Sequence, residues 1–280
     1  MKDFGTLYII ATPIGNLEDI TYRAVKILKE VDLIAAEDTR HTLKLLNHLE
    51  ISKPLISYYK QNEHSKTENL IEKLKEGKNI ALVSDAGTPG ISDPGEVVVL
   101  EAIKEGVEII PIPGACAFIQ ALIVSGLKTN NFQFIGFLPV NNTEKEKILE
   151  GIQANKNTII LYEAPHKLLK TLNSIIKVLG NRKIVLAKEI TKIHETYIRG
   201  KVIEVIKKLE QEDTIKGEYV ILIEGSEYTE KEIEINSLNK MEIEEHYKYY
   251  ENKGLEKKEI IKKIAKDRNI NKNEIYQKFI

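Results

Sequence analysis

The chain has 280 residues, room for about two domains at roughly 100–200 residues each. Hydrophobic residues make up 42% and charged residues 30%, enough for a buried core under a well-charged surface. Lys plus Arg is 41 and Asp plus Glu is 42; the net charge of −1 carries no overall basic excess of the kind that announces a nucleic-acid binder, so any such role needs a local basic face. The single cysteine, Cys116, excludes an internal disulfide and a cysteine-rich metal site and points to a reducing, cytoplasmic compartment. The opening MKDFGTLYIIATPIGN is too briefly apolar for a signal peptide, and roughly 18 apolar residues never run together, so no membrane partner is expected.

Residues 6–11 (TLYIIA) read as a short buried strand. Ile20, Ala24, Ile27, Leu28 and Val31 recur at helical spacing and predict a helix over 19–30. Further strands are predicted at 32–37, 54–58, 79–84 and 107–112, and helices at 40–50, 63–76, 96–105 and 114–125. That alternation predicts a largely parallel sheet covered by helices. After Leu127 the texture changes. Strand patterns at 132–139, 157–163, 182–189, 194–200 and 217–225 outnumber helices at 165–179 and 201–211, so a mixed sheet is expected. NNTEKEK, after the first of these strands, reads as a polar stretch. From 227 the chain is acidic. A helix pattern then ends at Gly254, a second follows with Ile260, Ile261 and Ile264 on one face, and a third carries Tyr276. The expected α/β organisation is one domain over 1–127, a second over 128–226, and a helical tail over 227–280 resembling helix-turn-helix.

The densest chemical signal is VSDAGTPGISDPG (83–95), between a strand and a helix. Ligands of open α/β sheets bind at that edge. Gly87, Gly90, Gly95, Pro89 and Pro94 fix a loop of little bulk, which lets backbone groups approach a ligand. Asp85 and Asp93 add two acceptors. ATPIGNLEDI (11–20) and IIPIPGACAFIQAL (109–122) follow other strands of the same sheet, so the three loops would converge on one crevice. No G-x-G-x-x-G follows the first strand and no G-x-x-x-x-G-K-[ST] occurs, which argues against dinucleotide and P-loop sites. The six histidines show no metal spacing, so no metal is expected.

LYIIATPIGNLEDIT, AAEDTRHT, SDAGTPGISDPG, PIPGACA, GFLP, LYEAPHK, KEITKIHET and GEYVILIEG follow one another across about residues 6–225. In these motifs the chain resembles the tetrapyrrole methylase superfamily, S-adenosylmethionine methyltransferases with two α/β domains and a cofactor cleft between them. TPIGN, EDTR and SDAGTPG together resemble the branch that modifies ribosomal RNA. The resemblance implies methylation of a cytidine 2′-hydroxyl in 16S rRNA of the small ribosomal subunit, near the decoding site, by a homodimer. It also implies a cofactor site lined by Asp85, Ala86, Gly87 and Thr88, with Cys116 and Ala117 opposite and Pro13 and Ile14 at the first loop. Tyr162, Glu163, Tyr219 and Val220 would close the adenine side. Two departures stand out. Ala115–Cys116–Ala117 follows the Pro-Gly, and VNNTEKEK after GFLP delays Lys145 and Lys147 among acids.

Transfer to a ribose hydroxyl needs oxygen, methyl carbon and sulfur held in line, and a nearby proton acceptor helps. Glu37, Asp38, Lys188, Glu189 and Glu195 are the candidates. Each also has a structural reading: Glu37 and Asp38 as helix caps, Lys188 and Glu189 as an ion pair at a strand end. Arg40 could grip a phosphate or pair with Asp38. Cys116 reads as a small pocket-wall residue, with no His or Asp partner to make it a nucleophile. From Glu256 onward eight bases face four acids. Lys257, Lys258, Lys262 and Lys263 therefore read either as rRNA phosphate contacts or as the solvated side of a bundle. Two rival readings stay open: a methylase of a corrin-type small molecule, and a non-catalytic ribosome-assembly factor that binds RNA.

Overall fold

The computed structural model describes residues 4–211 and 214–279. β1 (Thr6–Ile10), β2 (Leu33–Ala36), β3 (Leu55–Ser57), β4 (Ile80–Val83) and β5 (Glu108–Ile112) pair in parallel in the order β3–β2–β4–β1–β5. Period-two alternation sorts their side chains. Ile10, Ile34, Ala36, Ala81 and Val83 pack with Ala24 and Leu28 of α1 (Tyr22–Glu30) and Leu46 of α2 (Thr39–His48). Leu7, Ala35, Ile80 and Leu82 pack with Leu70 and Leu74 of α3 (Glu63–Lys75) and Val98 of α4 (Glu96–Lys104). α1 starts later than the spacing predicts. Residues 17–19 form a single 3-10 turn, and Thr21 caps α1 by accepting the Ala24 N–H. β1 and β4 are neighbours whose onward connections run to opposite sides, so their C-terminal ends flank a topological switch point.

α5 (Ala117–Ile123) follows β5 and leads into the second sheet. That sheet holds β6 (Phe132–Phe137), β7 (Thr158–Glu163), β8 (Lys183–Lys188), β9 (Thr196–Lys201) and β10 (Tyr219–Ile223) in the order β6–β7–β10–β8–β9. β6 and β7 are parallel and the other pairs antiparallel, as expected of a mixed sheet. One face buries Ile159, Leu161, Ile184, Leu186, Ile221 and Ile223 under α6 (Asn142–Gly151), α7 (Leu168–Leu179) and α8 (Val202–Leu209). The other face takes α5, whose Phe118, Ala121 and Leu122 pack on Ile160, Val185, Ala187, Val220 and Leu222. Burying Phe118 and Leu122 there is worth about 1.5–3 kcal/mol each, which joins the two halves of the chain.

α6 occupies what reads in the sequence as a polar stretch. Asn141 accepts the Thr143 and Glu144 N–H groups, and Lys145 and Leu149, one turn apart, are both buried. A lysine at a core position hides the apolar period. The ammonium of Lys145 donates to Thr171 Oγ1 (3.1 Å), and that hydroxyl donates to Glu163 Oε2 (2.6 Å).

Beyond the second sheet lie α9 (Glu230–Lys240), α10 (Ile243–Asn252), α11 (Lys257–Arg268) and α12 (Lys272–Lys278). The helix predicted to end at Gly254 is two helices, because Met241 is extended between α9 and α10. Leu238, Tyr250, Ile260, Ile261, Ile264 and Ile275 form the bundle's core, and Tyr276, next to Ile275 on α12, is exposed. Among the described residues no helix is long and apolar enough to cross a membrane.

Candidate active site

The loops after β1, β2, β4 and β5 are tied together at the switch point. Thr12 N–H donates to the Gly87 carbonyl (2.8 Å) and Gly87 N–H to the Thr12 carbonyl (3.0 Å). Ser84 Oγ also donates to the Gly87 carbonyl (3.1 Å), and Thr88 Oγ1 donates to the Ala115 carbonyl (3.0 Å). Asp38 N–H donates to Asp85 Oδ1 (2.9 Å). Gly87 has φ +87°, and a Cβ there would lie 3.3 Å from Ile14 Cγ2 and 3.7 Å from the Ala115 carbonyl oxygen. Left-handed backbone and close approach together require glycine.

Three carboxylates gather at this edge. Burial, then the charge of Asp85, raises the Glu37 pKa. Burial, then the charges of Glu37 and Asp85, pushes Asp93 up to about 7 against a hydrogen bond from Ser84. A cation placed among them would relieve that repulsion. Asp38 behaves oppositely. Arg40 clamps it through Nε (3.0 Å) and Nη2 (2.6 Å) and holds it well below the usual carboxylate range. The exposed Arg40 thus pairs with Asp38.

Ile14, Cys116, Ala117 and Tyr162 pack around the α5 contact, together with Val220. The Tyr162 ring meets Phe134 and Phe137 edge-on (centroids 4.9 and 5.6 Å), and its hydroxyl oxygen accepts the Phe118 N–H (3.3 Å). Burial raises the pKa of both Tyr162 and Cys116, so the thiol stays protonated and a poor nucleophile.

Other predicted site residues lie elsewhere. Glu163 and Tyr219 point to the α6–α8 face of their sheet, opposite Tyr162 and Val220, because neighbouring residues of a strand face opposite ways. Glu163 accepts from Thr171 and from the Ala164 N–H (2.8 Å). Lys188, cross-strand from Tyr219, sits 5.8 Å from that ring's centroid. Glu189 and Glu195 brace the 189–196 loop. Glu189 accepts from the Glu218 N–H (2.9 Å) and Lys192 (3.1 Å), while Glu195 accepts from the Thr191 N–H (2.6 Å) and Tyr197 hydroxyl (2.8 Å). In the tail, Lys257 donates to the Phe279 carbonyl (2.7 Å) and Lys263 lies 4.4 Å from the Tyr250 ring centroid; Lys258 and Lys262 are exposed. The sequence marks Asp93 only as a loop acceptor. Its proximity to Glu37, over fifty positions away, comes from the β2–β4 pairing and has no local signal.

The loops after β1, β2, β4 and β5 meet at the switch point beside the second, mixed sheet, the edge at which ligands of open α/β sheets bind. The chain belongs to the tetrapyrrole (corrin/porphyrin) methylases, whose family model matches residues 6–206. It is similar to ribosomal RNA small subunit methyltransferase I of Halalkalibacterium halodurans, 49% identical over 98% of this chain and 94% of that one. The protein of the same name from Bacillus subtilis is 48% identical over 99% and 95% of the two chains. Among solved structures, the cobalt precorrin-4 methyltransferase of cobalamin biosynthesis covers 78% of this chain and 94% of its own at a TM-score of 0.54 and 20% identity. Uroporphyrin III C-methyl transferase from Thermus thermophilus covers 78% and 97% at 0.54 and 16%. These two likenesses carry the fold.

Proposed function

We propose that the protein is an S-adenosylmethionine-dependent methyltransferase of small-subunit ribosomal RNA, acting on the 2′-oxygen of a cytidine in 16S rRNA near the decoding site. The carrying observation is the near full-length likeness, at 48–49% identity, to proteins named for methylating that RNA. The macrocycle methylases share the fold at 16–20% identity and lend no such support to a corrin substrate. The enzyme works in the cytoplasm as a homodimer, with domains over 1–127 and 128–226 and a helical tail over 227–280.

The residues present suit the cofactor. Bound S-adenosylmethionine supplies a methyl carbon on a cationic sulfonium. Asp85, Glu37 and Asp93 form an anionic edge that complements a cation or ribose hydroxyls. Pro13, Ile14, Ala86 and Thr88 offer backbone at the strand ends, and Gly87, whose own N–H and carbonyl are engaged with Thr12, lets the loop lie close to the cofactor. Cys116, Ala117, Tyr162 and Val220 give an apolar wall for the adenine. Glu163 and Tyr219 are left with backbone contacts there. Of the five candidate bases Glu37 is the proton acceptor, with Asp93 beside it; Asp38 is neutralised by Arg40, Lys188 faces the far side of its sheet, and Glu189 and Glu195 hold a loop. Arg40, through the guanidinium nitrogen that Asp38 leaves unengaged, and the tail lysines Lys257, Lys258, Lys262 and Lys263 position RNA phosphates without reading sequence. Calorimetry with S-adenosylmethionine tests the cofactor half of this reading. One site per chain is expected, and no heat of binding would overturn it.

A further inference from the structure

A groove of about 650 Å³ lies between α6 and α7, on the side of the second sheet away from α5. α7 buries Leu168, Leu172, Ile175 and Leu179 in the core. Lys167, Lys170, Ser174 and Lys177 then recur every three or four residues along its groove-facing edge, over about 15 Å. Lys145 lines the opposite wall. It is 3% exposed, and its hydrogen bond goes to the neutral Thr171 hydroxyl, which stands between the ammonium and the Glu163 carboxylate. The lining acid Glu146 is held by Lys177 at 2.7 Å. Lys177 is taken by Glu146, which leaves the Lys167 and Lys170 cations, one turn apart beside the buried Lys145, for a ligand that carries more than one phosphate.

The groove opens beside the crevice. Val140 and Asn142, just past β6, and His166 and Lys167, just past β7, line its mouth. β6 and β7 are parallel, so both segments lie at one end of the sheet. β6 approaches the 83–95 loop, since a Cβ on Gly136 would lie 3.3 Å from Ser92 Oγ. Tyr162, at the end of β7, carries the contact to Phe118. Phe137 is 59% exposed at the same end and offers a ring on which a base can stack.

We infer that the α6–α7 groove binds the RNA phosphodiester backbone flanking the nucleotide that enters the crevice, with Lys167 and Lys170 as phosphate contacts. The inference rests on RNA being the substrate. Fluorescence anisotropy of a labelled single-stranded RNA, titrated from 50 to 300 mM KCl, tests it with Lys167→Gln/Lys170→Gln. Two lost phosphate contacts should weaken binding and flatten the log–log salt slope by about 1.4. Lys207→Gln/Lys208→Gln, on the exposed side of α8, is the control and should keep the wild-type slope. S-adenosylmethionine affinity by calorimetry should match wild type in both variants. An unchanged slope in the first variant, or an equal loss in the control, overturns the groove. Displacement of the RNA by low-millimolar inorganic phosphate also overturns it, since the site would then be a simple anion site. Methyl transfer by wild type to small subunits is scored separately, so failure of the proposed activity is distinguishable from failure of the groove.

Discussion

Asp93→Asn removes one carboxyl from the anionic edge and keeps its shape. At pH 8 wild-type Asp93 is ionised beside Glu37 and Asp85, and at pH 6 it carries a proton. A cationic cofactor favours the ionised form, so its affinity should rise with pH through 7 while binding releases up to one proton. If the bound cation returns Asp93 toward its ordinary 3.8, wild-type affinity at pH 6 falls about tenfold below its plateau. Asp93→Asn should bind at every pH about as wild type does at the acid end. The unliganded protein should show the same carboxyl in its stability. Between 3.8 and about 7 the folded state holds the proton and the unfolded chain does not. The stabilising effect of that proton is complete below the unfolded value and is lost as pH rises through the folded one. At about 1.4 kcal/mol per pH unit the ceiling is about 4 kcal/mol, and partial solvent access at the edge reduces it to about 1–2. Asp93→Asn should therefore melt higher than wild type at pH 8, while Glu37 contributes a slope of the same sign to both. Calorimetry and thermal melts from pH 5.5 to 8.5 give both readouts. Parallel pH profiles for the two proteins would show that Asp93 does not titrate near 7 at the cofactor edge.

At Gly87, alanine adds left-handed backbone strain of about 1–2 kcal/mol and crowds Ile14. Thermal melts should show that loss, and calorimetry a fall in cofactor affinity of about tenfold; wild-type affinity would remove Gly87 from the pocket. Cys116→Ser should keep most turnover in a methyl-transfer assay, and its melting temperature should not fall, because Cys116 is the N-cap of α5 without a side-chain hydrogen bond and serine caps well. Abolished turnover with cofactor binding intact would reinstate the thiol as a nucleophile. Lys258→Gln/Lys262→Gln should lower the salt slope of subunit binding by about 1.4 if the tail meets RNA, and an unaltered slope assigns α11 to the bundle alone. Thr171→Val strands the Lys145 ammonium and Glu163 carboxylate in the core and should cost about 2–4 kcal/mol by urea denaturation; a loss under about 0.5 kcal/mol would show that the pair does not depend on that hydroxyl.

Most strands are legible because they are short apolar runs closed by loop residues, β9 (TYIRGK) being the exception, and β4 with its Gly/Pro loop marks the ligand edge directly. α6 is not, since Lys145 takes a core position and is satisfied by the Thr171 hydroxyl, itself bonded to Glu163 and far away in sequence. Of the pairs Tyr162–Glu163 and Tyr219–Val220 only one side chain each can face the cleft, a limit the sequence already contains, because adjacent strand residues point to opposite faces of the sheet. The carboxylate edge depends on strand order. Glu37 and Asp93 meet because β2 lies beside β4 in the sheet, and residue spacing does not encode that pairing. The α6–α7 groove was hidden likewise, its lysines divided between two helices and diluted by the acids of α6.

The proposed activity is methyl transfer from S-adenosylmethionine to small-subunit RNA. Its most direct test incubates the full chain with methyl-tritiated S-adenosylmethionine and, separately, assembled small subunits, naked 16S rRNA and a precorrin macrocycle, followed by nucleoside analysis of any labelled RNA. Label is expected in the RNA, recovered as 2′-O-methylcytidine, and not in the macrocycle. Label in the macrocycle, or no transfer to RNA by a protein that binds the cofactor, would contradict it.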